Sequence, residues 1–233
     1  MPKSQSAPPE VFLNVPYDKK FEKLFLAYIA GVAAFGFAPR ATLEIRKSFD
    51  RLDKILELIQ ACQYSIHDLS RVELDRRAPQ TPRFNMPFEL GLSVACNRLV
   101  RNHQRQWFVC ESVTHRLQKS LSDLNGIDPR IHNGKVGDVL VELRNMFVKP
   151  SRQPAVQEMW TIYRDLRKSL PRIMKQAGAE SVFSPSIFRD LRVVAYESAA
   201  KNLSQGGLSQ SEASSRNPST STIHGSRTHD SRL

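Results

Sequence analysis

Hydrophobic residues follow two different periods along residues 11–149, and the two periods alternate. Short apolar runs bounded by turn-forming residues predict five strands, near 11–15, 37–45, 64–68, 107–110 and 130–132. The segments between them repeat apolar residues every three or four positions and predict helices, near 18–36, 51–62, 88–100, 115–121 and 136–147. Strands that alternate with helices favour a parallel sheet with helices on both faces. We therefore predict a flavodoxin-like, doubly wound α/β domain of about five strands in the order 2-1-3-4-5.

The pattern changes on both sides of this domain. Residues 1–10 are polar and proline-rich, which predicts a flexible N-terminus. Residues 150–201 contain a short linker and two basic helical segments, the first interrupted or restarted at Pro171. We expect these helices to form an appendage that packs on the sheet domain or on a partner. Residues 202–233 are rich in serine and other small or polar residues and have few large apolar side chains, which predicts a disordered tail.

Composition narrows the class of protein but assigns no chemistry. The 233 residues are 40% hydrophobic and 24% charged, as in globular proteins, and no apolar run is long enough to span a membrane. Cys62, Cys96 and Cys110 are far apart and lie in no CxxC or Cys/His cluster, so we expect buried thiols rather than disulfides or a zinc site. The polar N-terminus lacks the apolar core of a signal peptide. These features predict a cytoplasmic protein without a bound metal.

The net charge of +11 is spread along the chain rather than concentrated in one block. Residues 1–151 carry +6, residues 152–201 carry +4, and the remainder carries +1. A diffuse positive field favours association with anions, including nucleotides. Binding of nucleic acid is the least favoured interpretation, because the chain has no recognition motif and no basic stripe with interleaved aromatic residues.

Polar residues cluster at the point where an open parallel sheet binds its ligands. Such ligands lie beyond the carboxyl ends of the strands, where the strand order reverses, here between the first and third strands. Five polar residues follow these strands or lie in the first turn of the next helix: Asn14, Tyr17, Asp68, Ser70 and Glu89. Carboxylates beside a tyrosine suit attack on, or stabilisation of, an electron-poor sugar carbon, as in cleavage of a glycosidic bond. Arg71 and Arg83 are the main candidates to hold a phosphate, and Arg46 and Arg51 are further arginines near the crevice that could do so.

Each of these residues also has a purely structural interpretation. Glu89 can stabilise a helix by interacting with the helix dipole, and Asp68 and Ser70 are residue types common in turns. His67 alternates with Asp68 along the third predicted strand, so we expect its side chain to point away from the crevice. The chain contains no Walker or Rossmann glycine motif, no GxSxG and no HExxH.

Three segments resemble a family of bacterial proteins. They are Val11-Phe-Leu-Asn-Val-Pro-Tyr-Asp18, Ile66-His-Asp-Leu-Ser70 and Arg83-Phe-Asn-Met-Pro-Phe-Glu-Leu-Gly91. That family looks like a branch of the nucleoside 2-deoxyribosyltransferase-like and TIR-like superfamily, and the resemblance covers about residues 11–148. It implies a flavodoxin-like fold with a functional glutamate at the start of the helix after the third strand.

The resemblance also implies roles for individual residues. Glu89 takes the position of the glutamate that attacks the sugar C1′ in the deoxyribosyltransferases and supports cleavage of the nicotinamide–ribose bond of NAD in enzymatic TIR domains. Asp68 and Ser70 match polar groups that orient the ribose or the base, and Tyr17 lines the entrance.

Two functional hypotheses remain open on the sequence, besides nucleic-acid binding. The first is an N-glycosidase or N-glycosyl transferase acting on a nucleoside, a nucleotide or NAD, which needs no cofactor. Its catalytic residues are Glu89 and Asp68, and its substrate-binding residues are Asn14, Tyr17, Ser70, Arg71 and Arg83. The second is a non-catalytic, TIR-like module that senses a nucleotide or assembles with itself or other proteins in bacterial defence or signalling.

Overall fold

The computed structural model describes residues 7–45, 49–72, 80–99, 105–149 and 152–214, with side chains described as far as Ser204. Five strands form one parallel sheet in the order β2-β1-β3-β4-β5, as the sequence predicts. They are β1 (Glu10–Asn14), β2 (Ala38–Arg40), β3 (Tyr64–Asp68), β4 (Gln106–Glu111) and β5 (Arg130–Ile131). β1 and β3 are neighbours, and their last paired residues are Asn14 and His67. The carboxyl ends of these two strands therefore form the reversal point of the strand order.

The edge strand β2 is shorter than predicted. It ends at Arg40, and residues Thr42–Glu44 form a 3₁₀ turn where the sequence pattern predicted further strand. The amides of Glu44 and Ile45 bond back to the carbonyls of Ala41 and Thr42, at 3.0 and 3.2 Å. The chain therefore leaves the sheet after Arg40, and the residues of this turn do not pair with β1.

Helices cover both faces of the sheet. They are α1 (Glu22–Ala34), α2 (Arg51–Ala61), α3 (Asn85–Leu99), α4 (Arg116–Ser120) and α5 (Val136–Met146). Alternate residues of β1 point to opposite faces of the sheet. Val11 and Leu13 pack with α1 and α5 on one face, whereas Phe12 packs with α2 on the other. α1 and α5 approach closely at Gly31, where an added Cβ would lie 2.3 Å from a methyl carbon of Leu143. The same alternation decides which polar side chains reach each side of the sheet.

The C-terminal helices pack on the sheet domain. α6 (Val156–Ala177) and α7 (Pro185–Ser214) both contact α1, and their apolar residues join the same core cluster. Ten of the 13 residues of α1 are buried, since helices cover it on the side away from the sheet as well. The appendage thus completes the core of the α/β domain.

Two expected boundaries in this region need correction. Pro171 lies inside α6, which runs through it without a break. The predicted tail begins at Asn202, whereas α7 continues through that residue to Ser214. Residues 215–233 of the predicted tail, and residues 1–6 of the predicted flexible N-terminus, lie outside the described residues. Within the described ranges, no helix combines the length and apolar character needed to cross a bilayer.

Candidate functional site

A cavity of about 520 Å³ opens at the reversal point between β1 and β3. Its walls come from the segment after β1, the 3₁₀ turn after β2, the first residue of α2, and the segment that leads into α3. The polar side chains among the lining residues include Asn14, Tyr17, Thr42, Arg51, Arg83 and Glu89. The size is within the range of pockets that enclose a nucleoside-sized ligand. Four of the seven predicted site residues therefore lie together here: Asn14, Tyr17, Arg83 and Glu89.

Glu89 is the carboxylate of the cavity. It is the fifth residue of α3 rather than part of its first turn, because the helix begins at Asn85, earlier than predicted. Only 8% of the residue is exposed, and no group in the described part of the chain hydrogen-bonds its carboxylate. Burial raises the pKa of Glu89 from 4.5 to about 7, while the nearby Arg51 opposes that rise. Near neutral pH the side chain consequently exists in both protonation states.

Asn14 is fixed by two hydrogen bonds from its side-chain amide. Nδ2 donates to the Met86 carbonyl at 2.8 Å and to Nδ1 of His67 at 2.9 Å. Burial lowers the pKa of His67 to about 3, so the ring is neutral and its Nε2 can donate to Ser65 Oγ, 3.1 Å away. Both amide hydrogens of Asn14 are used in this way. Its Oδ1 remains to accept a hydrogen bond from a ligand hydroxyl or amine.

Tyr17 and Thr42 form one wall of the cavity. Their hydroxyl oxygens are 3.1 Å apart and share a hydrogen bond. Burial raises the pKa of Tyr17 well above its ordinary value, with the negative charge of Glu89 adding to the effect. The tyrosine therefore stays protonated and can act as a hydrogen-bond donor. Its ring packs on Phe25 and Phe183, at centroid distances of 6.3 and 5.6 Å.

Two arginines supply positive charge to the cavity. Arg51 donates from Nη1 to the Ile45 carbonyl at 3.1 Å, and no carboxylate of the described residues forms a salt bridge with it. Arg83 pairs with Asp18 at 3.1 Å. Arg71 pairs with the same carboxylate oxygen at 2.8 Å and does not line the cavity. Because Asp18 offsets part of the charge of both partners, Arg51 is the stronger candidate to meet an anionic group.

Asp68 and Ser70 do not line the cavity. Asp68 is wholly buried on the α1 side of the sheet, where Oδ2 accepts the Tyr28 hydroxyl at 2.7 Å and Oδ1 accepts the Ser70 amide at 2.9 Å. His132 Nε2 lies 3.0 Å from Oδ2, but this contact does not have the geometry of a hydrogen bond. These contacts join β3 to α1 and to the segment after β5.

The two adjacent residues His67 and Asp68 face opposite sides of the sheet, as successive strand residues must. His67 does not line the cavity, but its ring bonds Asn14, a lining residue, so His67 lies on the same face of the sheet as Asn14. It follows that Asp68 points to the other face.

The sequence patterns did not identify three polar lining residues, Thr42, Thr81 and Asn85, and gave too little weight to a fourth, Arg51. Thr42 lay in a segment predicted as strand, and no motif identifies it. Arg51 was one of several arginines near the crevice, and its position as the first residue of α2 was the available signal. Across the described ranges, no three histidine, cysteine, aspartate or glutamate side chains are grouped as metal ligands would be. No protein-family model and no curated protein matches this chain.

Proposed function

We propose that this protein cleaves, or transfers to an acceptor, the N-glycosidic bond of a nucleoside, a nucleotide or NAD. The observation that carries the proposal is Glu89: a buried carboxylate without a hydrogen-bond partner in the described chain, in a nucleoside-sized cavity at the ligand-binding edge of the sheet. A carboxylate that only stabilised the fold would be expected to have donors around it, since burying an unpaired charge is costly. The similarity of residues 83–91 to the deoxyribosyltransferase-like and TIR-like superfamily adds support.

Glu89 acts at the anomeric carbon in this scheme. Its carboxylate oxygen bonds to that carbon, or stabilises the positive charge on it, while the carbon–nitrogen bond breaks and its electron pair leaves with the base. Water then adds its oxygen to the anomeric carbon, and its two hydrogens end on the new sugar hydroxyl and on the released base. With NAD, whose nicotinamide ring is cationic, the base leaves neutral and one proton is released. In a transfer reaction a second base replaces the water.

The other cavity residues have binding roles. Asn14 Oδ1 accepts a hydrogen bond from a sugar hydroxyl, and the protonated Tyr17 contacts the sugar or the base. Arg51 and Arg83 hold a phosphate or pyrophosphate. The proposal leaves out Asp68, Ser70 and Arg71, because the structure commits their side chains or backbone to other contacts.

We also propose a cytoplasmic location. All three cysteines, Cys62, Cys96 and Cys110, are free and buried. Free thiols of this kind are typical of proteins from reducing compartments.

Release of free base from a defined substrate tests the function. Purified protein is incubated with NAD and with a panel of ribo- and deoxyribonucleosides and their 5′-monophosphates, and the products are separated by chromatography. We expect base release from at least one substrate and its loss, by at least 100-fold, in Glu89→Gln. Glu197→Gln, which changes an exposed glutamate on α7, is the matched control and should keep full activity.

Two outcomes would contradict the proposal. Equal rates in the wild type and in Glu89→Gln would remove Glu89 from the mechanism. Saturable binding of a nucleotide without base release, with or without an added acceptor base, would instead favour a non-catalytic sensing module.

A further inference from the structure

The loop between α6 and α7 reaches the wall of the candidate active site. Phe183, in this loop, lies 5.6 Å from the ring of Tyr17 and 5.2 Å from the ring of Phe25. Phe188, in the first turn of α7, also packs on the ring of Phe25, at a centroid distance of 5.8 Å. Tyr17 is therefore supported from outside the cavity by an aromatic cluster that belongs partly to the C-terminal helices. Phe183 itself does not line the cavity.

A second contact joins α7 to the neighbouring part of the same wall. Arg192 Nη1 donates to Glu44 Oε2 at 3.1 Å, and the guanidinium lies over the ring of Phe188 at 5.8 Å. Glu44 belongs to the 3₁₀ turn, and its other carboxylate oxygen accepts the Ala41 amide at 3.0 Å. Its carboxylate thus connects helix α7 to the backbone of the turn.

The turn and the residue that follows it contact two lining residues, Tyr17 and Arg51. Thr42 shares its hydrogen bond with Tyr17, and the Ile45 carbonyl holds the Arg51 side chain at 3.1 Å. The appendage thus makes two contacts, an aromatic one through Phe183 and an ionic one through Arg192, nine positions later in the chain. Both end on the wall that contains Tyr17, Thr42 and Arg51, although neither contacts a ligand site directly.

We infer that Phe183 and Arg192 are positioning residues, through which the C-terminal helices hold the wall of the cavity formed by Tyr17 and Thr42. The inference rests on the proposed function in taking this wall as a substrate contact. Removing either support lets the wall move outward, which admits water beside Glu89 and misplaces the groups that meet the sugar. The helical appendage is then part of the active site as well as part of the core.

The test compares variants at these two positions with matched controls. Phe183→Ala and Arg192→Gln remove the supports, while Phe183→Tyr and Arg192→Lys keep an aromatic ring and a cation. Leu166→Ala is the control for general loss of packing, because Leu166 is fully buried in the α6 contact and does not line the cavity. Arg189→Gln is the control for loss of charge, since Arg189 is a largely exposed residue of the same helix.

Two readouts separate positioning from stability. The first is the pH midpoint of the Glu89 carboxyl, followed by carbon-13 NMR and assigned with Glu89→Gln. The second is KM and kcat for base release, or the dissociation constant for NAD and for adenosine 5′-monophosphate. We expect Phe183→Ala and Arg192→Gln to lower the Glu89 midpoint and to raise KM or the dissociation constant by about three- to tenfold, the effect of losing one aromatic or ionic contact. The tyrosine and lysine variants should restore both values.

The inference fails if folded Phe183→Ala and Arg192→Gln leave the Glu89 midpoint unchanged, or if Leu166→Ala shifts it equally. If Phe183→Ala does not fold, the Glu89 midpoint is measured in Phe183→Leu and Arg192→Gln instead, and the same outcomes support or refute the inference. The NMR midpoint needs no turnover, so it judges the positioning role even if no substrate is cleaved. Absence of base release with a shifted midpoint would refute the proposed function and leave the positioning role standing.

Discussion

Replacing Glu89 by glutamine should stabilise the fold, and the gain should grow with pH. The cavity raises the pKa of this side chain from 4.5 to about 7 by burial, against the opposing charge of Arg51. The unfolded chain releases the proton near pH 4.5, whereas the folded chain holds it to about pH 7. The stability associated with the neutral form is therefore complete below pH 4.5 and is lost as the pH rises through 7.

The magnitude follows from the size of the shift. At about 1.4 kcal/mol per pKa unit, a rise from 4.5 to about 7 corresponds to about 3 kcal/mol of lost stability above pH 8. Glutamine keeps the shape and does not ionise, so Glu89→Gln escapes this loss. We expect its stability advantage over the wild type to increase by about 2–3 kcal/mol between pH 5 and pH 8.

Urea denaturation at pH 5, 6, 7 and 8 measures this advantage directly. Glu197→Gln, which makes the same chemical change at an exposed position, provides the control. A constant difference between Glu89→Gln and the wild type at all four pH values would refute the reasoning. So would an advantage that declines as the pH rises.

Three further predictions concern other parts of the structure. Arg51→Gln removes the cation that opposes the shift, so the NMR midpoint of Glu89 should move above about 7; an unchanged midpoint would show that this charge is too distant to matter. Asp68→Ala leaves Tyr28 and the Ser70 amide without their acceptor and should lower the free energy of unfolding by about 2–4 kcal/mol; a loss below about 1 kcal/mol would contradict the structural role assigned to Asp68. Gly31→Ala places a Cβ against Leu143 and should lower the free energy of unfolding, measured in urea, by about 1–3 kcal/mol. Gly91→Ala, with open space around it in α3, should leave that free energy unchanged or raise it by up to about 1 kcal/mol. Equal effects of the two substitutions would refute the close packing at Gly31.

The sheet could be predicted from sequence because its signals are local. Strand-length apolar runs alternate with helical periods, and chain topology then restricts a sheet of this kind to few orders. The prediction of a strand over 37–45 was wrong beyond Arg40, because a 3₁₀ turn can contain the same kinds of residue. The backbone hydrogen bonds of Glu44 and Ile45 close this turn, and the sequence pattern does not reveal them. Similarly, the end of α7 could not be placed from composition, since the small and polar residues after Lys201 continue the helix to Ser214.

The candidate site was predicted in part. Asn14, Tyr17 and Glu89 were identified because topology alone brings the ends of β1 and β3 and the beginning of α3 together. Asp68 was misassigned because a strand's side chains alternate between faces, and the sequence did not reveal which of His67 and Asp68 shares the face of Asn14.

The contacts of the appendage with the cavity wall carry no local signal. Arg192 and Glu44 are 148 residues apart, and neither belongs to a motif. Phe183 lies in a short loop between helices. From the sequence alone, a phenylalanine there is equally consistent with a residue that only packs in the core. Only the packing of α6 and α7 on α1 brings these residues to the site.

The pH dependence of base release under single-turnover conditions tests the central claim most directly. With the best substrate of the panel and enzyme in excess, we predict that the wild-type rate rises through one ionisation near pH 7, because the Glu89 carboxylate must be ionised to act on the sugar carbon. Glu89→Gln should release no base above the uncatalysed rate at any pH. Base release at the same rate in both proteins across the pH range would contradict the assignment of Glu89, and the absence of release from every substrate would contradict N-glycosidic bond cleavage itself.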